Sequence, residues 1–312
     1  MMNKLMFCCL IVLLTIGGLN VQAEERLYKP FVLASNGPGE LVQAINSVKR
    51  SLLDVGFIIT GEYSPYEGSH VLVATNYQLI SGSKKSKGAK FAVPQRVAVS
   101  QVGEDIQVAY ANPEYFAQAY QMKDDMKWVS NQLAAALGRI EEFGSKGMTR
   151  KKLRKYHYTF GMEYFRDIMV LAEYGSYGEA ISKVEKSLSK KEGGAFKISR
   201  IDIQGENTTI YSVGMTEGYS SDQKVMSIID YKTLKHTAHL PYELIVKNNK
   251  IIALHPRFRI AIDFPELSMS GIKNSFMQII SSPDAIKKAL TLASGGECYY
   301  DEDLDEELCG EF

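Results

Sequence analysis

The sequence predicts an α+β fold with two similar domains, each a mainly antiparallel sheet with helices packed on one face. Amphipathic helical stretches alternate with short strand-like stretches, and the same order of elements recurs in two successive parts of the chain. With 312 residues, the chain is long enough for two domains of ordinary size. The expected boundaries are a signal peptide over 1–23, a first repeat domain over 24–145, a basic linker over 146–155, a second repeat domain over 156–295 and an acidic tail over 296–312.

The N-terminal segment has the composition of a secretory signal peptide. Its apolar run, Leu5 to Leu19, follows a lysine and leads to a small-residue pattern that ends at Ala23. That run is shorter than the roughly 20 residues needed to span a bilayer. We therefore expect cleavage before Glu24, a mature protein in the periplasm, and no transmembrane segment after cleavage. Cys8 and Cys9 would leave with the signal peptide.

Each predicted domain begins with a strand and an amphipathic helix. In the first domain the apolar residues have the spacing of one helical face, and Gly56 stands where the helix is expected to end. In the second domain a matching stripe precedes Gly193 and Gly194. The stripes are Leu41, Ile45, Val48 and Leu52 in the first helix and Ile181, Val184 and Leu188 in the second.

Each predicted domain continues with a proline-bounded hairpin and ends in a helix. Alternating residues over 96–100 and 243–247 predict half-buried antiparallel strands, with turns at VGED and KNNK. Pro94 and Pro241 would stand at strand entries, where no ladder donor is needed. The closing helices are expected over Met126 to Leu137 and Pro283 to Leu292.

These elements together resemble the bacterial family known as domain of unknown function 302. In the first copy the resemblance rests on Gly56-Phe57, on Val93-Pro94 and on the run Tyr110-Ala111-Asn112-Pro113-Glu114-Tyr115. In the second copy it rests on Leu240-Pro241, the preceding IIDYKTLKH and Asp263-Phe264-Pro265. The resemblance implies a small α+β fold, and this chain differs from the family's usual single-domain form in that it is duplicated and exported. The resemblance implies no established chemistry.

The cysteines that remain after cleavage, Cys298 and Cys309, both lie in the tail GGECYYDEDLDEELCGEF. Because an exported protein meets an oxidising compartment, we expect them to form a disulfide. The acidic residues between them could bind calcium, but they lack the spacing and turn glycine of an EF-hand loop. A solvated acidic tail is the favoured interpretation.

The composition argues against several function classes. Lys and Arg number 36, as do Asp and Glu, so the formal net charge is zero and no nucleic-acid partner is expected. The chain also lacks a G-x-S-x-G elbow, an H-E-x-x-H pair, a P-loop and a dinucleotide-binding fingerprint. We therefore predict no catalytic residue set and no cofactor.

Three histidines of the second domain are candidate metal ligands. His236 and His239 precede the strand that begins near Pro241, and His255 follows its hairpin. Imidazole groups bind zinc and copper, but this spacing neither assembles nor excludes such a site. The alternative is that the histidines are hydrated polar caps, in which case replacing both His236 and His239 with alanine would cost no more than about 0.5 kcal/mol.

A second candidate site lies in the stretch HPRFRIAIDFPEL. If this stretch is a strand, Arg257 and Arg259 share one side of it, where two guanidinium groups could bind a carboxylate or sulfate. The alternative is that both arginines pair with acidic residues of the neighbouring copy. Tyr242 joins them as a candidate ligand-binding residue.

Three function classes follow from these patterns. The favoured one is an exported, non-catalytic protein that binds an unknown small ligand or a periplasmic protein. The first alternative is a periplasmic accessory protein that handles a metal or haem, and the second is an enzyme of unrecognised type.

Overall fold

The computed structural model describes residues 25–301 and 306–309. The predicted signal peptide over 1–23, with Cys8 and Cys9, lies outside the described residues, as do positions 302–305 and 310–312 of the predicted acidic tail. Helices and antiparallel strands both contribute, which confirms the α+β class. Among the described residues, no helix has the length and apolar character required to cross a membrane.

The first unit is a six-stranded antiparallel sheet with its helices. Its spatial order is β3-β4-β5-β6-β2-β7, and the short strands β1 and β8 pair separately. The strands are β1 (Leu27–Tyr28), β2 (Phe31–Pro38), β3 (Ile58–Tyr63), β4 (Ser69–Thr75), β5 (Gln95–Val102), β6 (Asp105–Ala111), β7 (Glu141–Phe143) and β8 (Met148–Thr149). The helices are α1 (Leu41–Asp54), α2 (Tyr77–Gly82), α3 (Pro113–Ala119), α4 (Lys127–Leu137) and α5 (Arg150–Leu153), with 3-10 turns at Ser83–Lys85 and Lys87–Ala92.

The second unit is a five-stranded antiparallel sheet in the order β10-β11-β12-β13-β9. Its strands are β9 (Ile168–Glu173), β10 (Ala195–Asp202), β11 (Thr208–Met215), β12 (Tyr242–Lys247) and β13 (Lys250–Leu254). Its helices are α6 (Tyr177–Ser189), α7 (Asp222–Ile229), α8 (Pro256–Asp263) and α9 (Ser282–Ala293), with 3-10 turns at Glu192–Gly194, Gly218–Ser220, Thr237–His239 and Phe276–Ile279. In the tail, β14 (Cys298–Asp301) pairs with β15 (Glu306–Cys309), and Cys298 and Cys309 form the expected disulfide.

Local periodicity predicted most of these elements correctly. The stripes of α1 and α6 bury Val48, Leu52, Val184 and Leu188. The hairpins β5–β6 and β12–β13 form with turns at the expected positions. The closing helices of the prediction are α4 and α9.

The prediction of half-buried hairpins is wrong, because both faces of β5 and β12 are covered. Every residue over 95–100 is buried, as is every residue over 242–246. On β12, Leu244 packs into the core of the second unit, whereas Ile245 packs into the core of the first. The second face of each sheet is therefore buried against the other unit rather than exposed to water.

Each unit covers the back of the other unit's sheet. The 230–239 segment, between α7 and β12, lies on the back of the first sheet, where Ala238 packs with Phe31, Ala98 and Ala109. The back of the second sheet carries Ile201, Ile210 and Ile245, which join the core of the first unit together with Ile203, just after β10. That core includes Phe91 and Ala92 from the 83–92 segment, between α2 and β5.

The two sheets also meet at their edges, β3 and β10, without forming a common ladder. A Cβ atom at Gly61 would lie only 2.0 Å from the carbonyl oxygen of Ile198, so the close approach requires glycine. Two residues further along β3, the rings of Tyr63 and Phe196 meet edge to face with centroids 5.8 Å apart. One outer strand of each sheet is thus packed against one outer strand of the other sheet.

Candidate functional site

The stretch that was expected to be a strand carrying Arg257 and Arg259 is the helix α8. His255 stands at its N-cap, where Nδ1 accepts a hydrogen bond from the backbone N–H of Arg257, and Pro256 occupies the first turn. In the first unit, Asn112 and Pro113 open α3 in the same way. Asn112-Pro113 and His255-Pro256 therefore share one N-cap arrangement, whereas Asp263-Phe264-Pro265 lies at the C-terminal end of α8. Arg257 and Arg259 consequently diverge around a helix instead of sharing one side of a strand.

Arg259 joins a polar network buried between the two units. Its guanidinium binds the Asp263 carboxylate and also donates a hydrogen bond to the carbonyl oxygen of His239. Arg96, on the first sheet, lies 3.6 Å from the same carboxylate. All these side chains are at most 4% exposed. Two cations from different units therefore converge on Asp263.

Glu243 adds a second carboxylate to this network. Its Oε2 lies 3.7 Å from Nε of Arg259. Burial raises the pKa of Glu243 to about 7, although the positive charge of Arg96 opposes the shift. The acids of Arg259 thus belong to its own unit, and the prediction that it pairs with the neighbouring copy is wrong.

His239 and Tyr242 extend the network by hydrogen bonds. Nδ1 of His239 lies 2.6 Å from Oδ2 of Asp263, and Nε2 lies 3.1 Å from the hydroxyl of Tyr242. An imidazole that donates from Nδ1 to the carboxylate leaves Nε2 to accept from the tyrosine hydroxyl. The sequence candidates His239, Tyr242 and Arg259 are therefore brought together.

A carboxylate, an imidazole and a hydroxyl in series can activate a nucleophile. Here the hydroxyl belongs to Tyr242, which is 3% exposed, and burial raises its pKa well above the usual value. Substrate cannot reach an enclosed hydroxyl. The contacts of this network instead join the two units.

His236 has a separate set of partners. Its Nδ1 lies 3.1 Å from Oδ1 of Asp230, and its ring stacks on Phe264 and meets Phe31 edge to face. His236 is 3% exposed and His239 is fully buried. The expectation that this pair stays hydrated before the strand is wrong, because the 230–239 segment is sandwiched between the first sheet and α8.

His255 and Arg257 form a third group, at the start of α8. Nε2 of His255 and Nη1 of Arg257 lie 3.3 and 3.4 Å from Oε1 of Glu163. Arg257 also pairs with Asp284, and both acids lie C-terminal to the first unit. The three candidate histidines thus contact three different acids. In the described part of the chain, no three His, Cys, Asp or Glu side chains are grouped as a metal ion requires.

A further candidate ligand site is a cleft that the sequence analysis did not identify. The Trp128 cleft has a volume of about 500 Å³, within the range of small-molecule sites. Its floor is apolar and its rim polar. The floor is formed by Leu79, Ala89, Met122, Met126 and Trp128, and the rim by Gln78, Ser81, Lys85 and Asp124.

The loop between α3 and α4 shapes one wall of this cleft. Met126 has φ of 60°, a left-handed conformation that costs a non-glycine residue about 1 kcal/mol. The side chain of Asp124 holds it there by accepting the Met126 backbone N–H at 2.8 Å. Across the rim, Asp124 lies 3.8 Å from Nζ of Lys85. The strained backbone of Met126 and the weak, exposed ion pair of Asp124 with Lys85 thus border the opening of the cleft.

Local sequence patterns could not have indicated the whole of this cleft, because its walls come from α2, the 83–92 segment and the loop before α4. A partial signal exists in Met122, Met126 and Trp128, an apolar set interrupted by Asp124. Methionine and tryptophan are adaptable, large lining residues for a small-molecule site.

Comparison with known proteins leaves the function open. No family model matches the chain, and no curated protein shows significant similarity to it. Among solved structures, it is similar to an uncharacterized conserved protein, DUF302, from Bacillus stearothermophilus, with a TM-score of 0.32 and 16% sequence identity. The match covers 34% of this chain and 94% of that one. The structural neighbour is thus a DUF302 protein, and the tandem duplication of such a domain stays a prediction.

Proposed function

We propose that the chain is an exported, non-catalytic protein that binds a small, largely apolar ligand in the Trp128 cleft. The observation that carries this proposal is the cleft itself, in which an apolar floor is combined with a few polar groups at the rim. Ligand sites commonly have this composition, since apolar surface supplies affinity and a few polar groups fix orientation. The cationic Lys85 and anionic Asp124 at the rim suit a ligand with one polar end.

Export to the periplasm is part of the same proposal. It is supported by the signal-like composition of residues 1–23 and by the Cys298–Cys309 disulfide, which belongs to an oxidising compartment. N-terminal sequencing of protein from the periplasmic fraction should begin at Glu24. Recovery of the intact chain, with Met1, from washed membranes would contradict export.

The two alternative functions receive less support from the geometry. For metal or haem handling, the imidazoles of His236, His239 and His255 are engaged with separate partners. For catalysis, the Asp263–His239–Tyr242 series is buried out of reach of substrate. The Trp128 cleft has an opening to solvent and apolar floor surface that no described part of the chain covers.

The chain contains a single tryptophan, which makes the test direct. The uncharged fluorescent probe N-phenyl-1-naphthylamine should bind saturably, at one site per chain, and accept excitation energy from Trp128. Ser81→Arg, at the cleft rim, should reduce the affinity about tenfold by obstructing the opening. Ser189→Arg, at the exposed end of α6, is the matched control and should leave binding unchanged.

Two outcomes would contradict the proposal. One is saturable probe binding without energy transfer from Trp128, which would locate the apolar site elsewhere. The other is equal affinity in the Ser81→Arg and Ser189→Arg variants. Thermal unfolding of both variants establishes that each is folded under the assay conditions.

A further inference from the structure

The 83–92 segment contributes to a second cleft, which the proposed function does not use. This basic cleft, of about 450 Å³, is formed where the segment meets two turns of the second sheet. Its charged residues are Lys84, Lys87 and Lys90 from the segment, Glu206 from the β10–β11 turn and Lys247 from the end of β12. Four cations therefore surround one carboxylate in a chain whose formal net charge is zero.

The walls of the basic cleft are held in place by hydrogen bonds. Nζ of Lys84 donates to the carbonyl oxygen of Gln204 at 2.8 Å, which joins the segment to the β10–β11 turn. The backbone N–H of Asn248 donates to the carbonyl oxygen of Asn207 at 2.7 Å, which joins the two turns. The position of the charges is thus set by backbone contacts as well as by flexible side chains.

Glu206 lies at the focus of the cations. Its Oε2 lies 2.9 Å from Nζ of Lys90, a side chain only 9% exposed. The pKa of Glu206 is lowered by the hydrogen bond from Lys90 and by the charges of Lys90, Lys84 and Lys247. The ammonium groups of three lysines therefore stabilise the charged form of this carboxylate. It neutralises one of the four lysines and leaves a local excess of three positive charges.

We propose that the basic cleft binds a compact, soluble, multivalent oxyanion of the pyrophosphate class. A concave site lined by charges of one sign concentrates the field and attracts counter-ions more strongly than scattered surface charges do. Lysine ammonium groups bind phosphate oxygens as point charges and adapt to their positions. The side-chain amides of Asn207 and Asn248 supply neutral donors at the same cleft.

The test uses the mature chain and inorganic pyrophosphate, titrated calorimetrically at constant ionic strength without divalent cations. We expect saturable binding at one site per chain. Replacing both Lys87 and Lys247 with glutamine should weaken binding about tenfold or more, since two of the three excess charges are removed. Lys186→Gln, on the exposed face of α6, is the matched control and should leave the affinity unchanged.

Glu206→Gln provides a test in the opposite direction. Glutamine keeps a hydrogen-bond acceptor for Lys90 but removes the competing negative charge, so pyrophosphate should bind several-fold more tightly. A structural role alone would not produce this gain.

Three results would overturn the proposal. They are the absence of saturable binding at millimolar pyrophosphate, equal affinity in the double variant and the Lys186→Gln control, and weaker binding in Glu206→Gln. If pyrophosphate does not bind, association with phosphatidic acid vesicles would instead favour a lipid surface as the partner. Because the probe carries no apolar group, failure here leaves the Trp128 cleft proposal unaffected.

Discussion

The Nη1 atom of Arg96 donates a hydrogen bond to the backbone carbonyl oxygen of His239 across 2.8 Å. Arg96 belongs to the first sheet, and His239 ends the 3-10 turn that lies on the back of that sheet. The same carbonyl oxygen accepts a hydrogen bond from Arg259. One backbone oxygen of the 230–239 segment therefore binds guanidinium groups from both units, which fixes the segment between them.

Replacing Arg96 should strongly destabilise the protein. Arg96→Met removes a buried cation while Asp263, Glu243 and the His239 carbonyl remain buried, and we expect a loss of about 3 to 5 kcal/mol in the free energy of unfolding. Lys250→Met breaks the exposed pair with Glu173 and should cost far less, because solvent screens an exposed ion pair. Urea denaturation measures both. Equal losses would show that the buried network does not hold the units together.

Asp222 should make stability depend on pH. Burial raises its pKa from an ordinary 3.8 to about 7, against hydrogen bonds from the Met215 N–H and the Tyr63 hydroxyl. Between these values the folded chain holds a proton that the unfolded chain releases. Stability is therefore greatest below the lower value and falls as the pH rises through the upper one.

Asp222→Asn is the matched variant for this pH effect. From about pH 5 to about pH 8, the wild type should lose about 2 to 3 kcal/mol more unfolding free energy than Asp222→Asn does, since one pKa unit corresponds to about 1.4 kcal/mol. The amide of the variant cannot ionise, so the pH dependence of its stability reports every other titrating group. Parallel stability curves for the two proteins would contradict the prediction.

His239→Ala should cost about 2 to 4 kcal/mol of unfolding free energy. The change removes a fully buried ring, leaves the Tyr242 hydroxyl without its partner on His239 and takes one hydrogen bond from Asp263, which keeps Arg259. His157→Ala is the control, because this ring is partly exposed and contacts Tyr164 in a tilted arrangement. A cost near the roughly 0.5 kcal/mol of a surface substitution would instead support the hydrated histidines expected from the sequence.

Zinc should not raise the melting temperature through His255. A metal bound by the folded state alone would give a saturable rise that depends on its ligands. His255→Asn preserves an N-cap acceptor for α8, as Asn112 does in α3, while it removes the imidazole. We expect zinc to act identically on the wild type and this variant. A stoichiometric rise that the variant lacks would favour the metal-handling alternative.

The two halves should not fold independently. Between them, the Tyr115 hydroxyl donates to the carbonyl oxygen of Ile262 at 2.7 Å, and the hydroxyls of Ser100 and Thr237 are 2.8 Å apart. Expressed separately, Glu24–Ser145 and Met148–Phe312 would each expose the apolar back of a sheet. We expect neither to unfold cooperatively, and co-expression to restore a soluble complex. Two soluble halves with the melting temperature of the whole chain would refute this.

Sequence periodicity predicted those elements whose contacts are local. The helices α1 and α6 and both hairpins follow from residues a few positions apart. The stretch FRIAIDF was ambiguous, because Phe258, Ile260 and Ile262 alternate as in a strand, yet Phe258 and Ile262 also lie one helical turn apart. The N-cap at His255 and the following proline determine the helix.

Contacts between residues far apart in the sequence determined the burial and the cleft that periodicity could not predict. Arg96 and Glu243 looked like solvent-facing polar residues of half-buried strands, and only the packing of the two units buries them. In the same way, Leu79 and Trp128 meet at one cleft although they are far apart in the sequence. The sequence offered His239 as a metal ligand and Tyr242 with Arg259 as ligand-binding residues, and it did not indicate that the three share one buried network.

The packing of β3 against β10 bears on the risk that an outer strand pairs with another molecule. The unpaired N–H and C=O groups of an outer strand can recruit the same strand of another molecule, and such recruitment is how many β-rich proteins aggregate. Gly61 brings the backbone of one outer strand against the other at a distance that no side chain permits. Each sheet thereby shields one outer strand of the other sheet from pairing with other molecules. A bulky residue at Gly61 would separate the two outer strands and leave both open to pairing with other molecules.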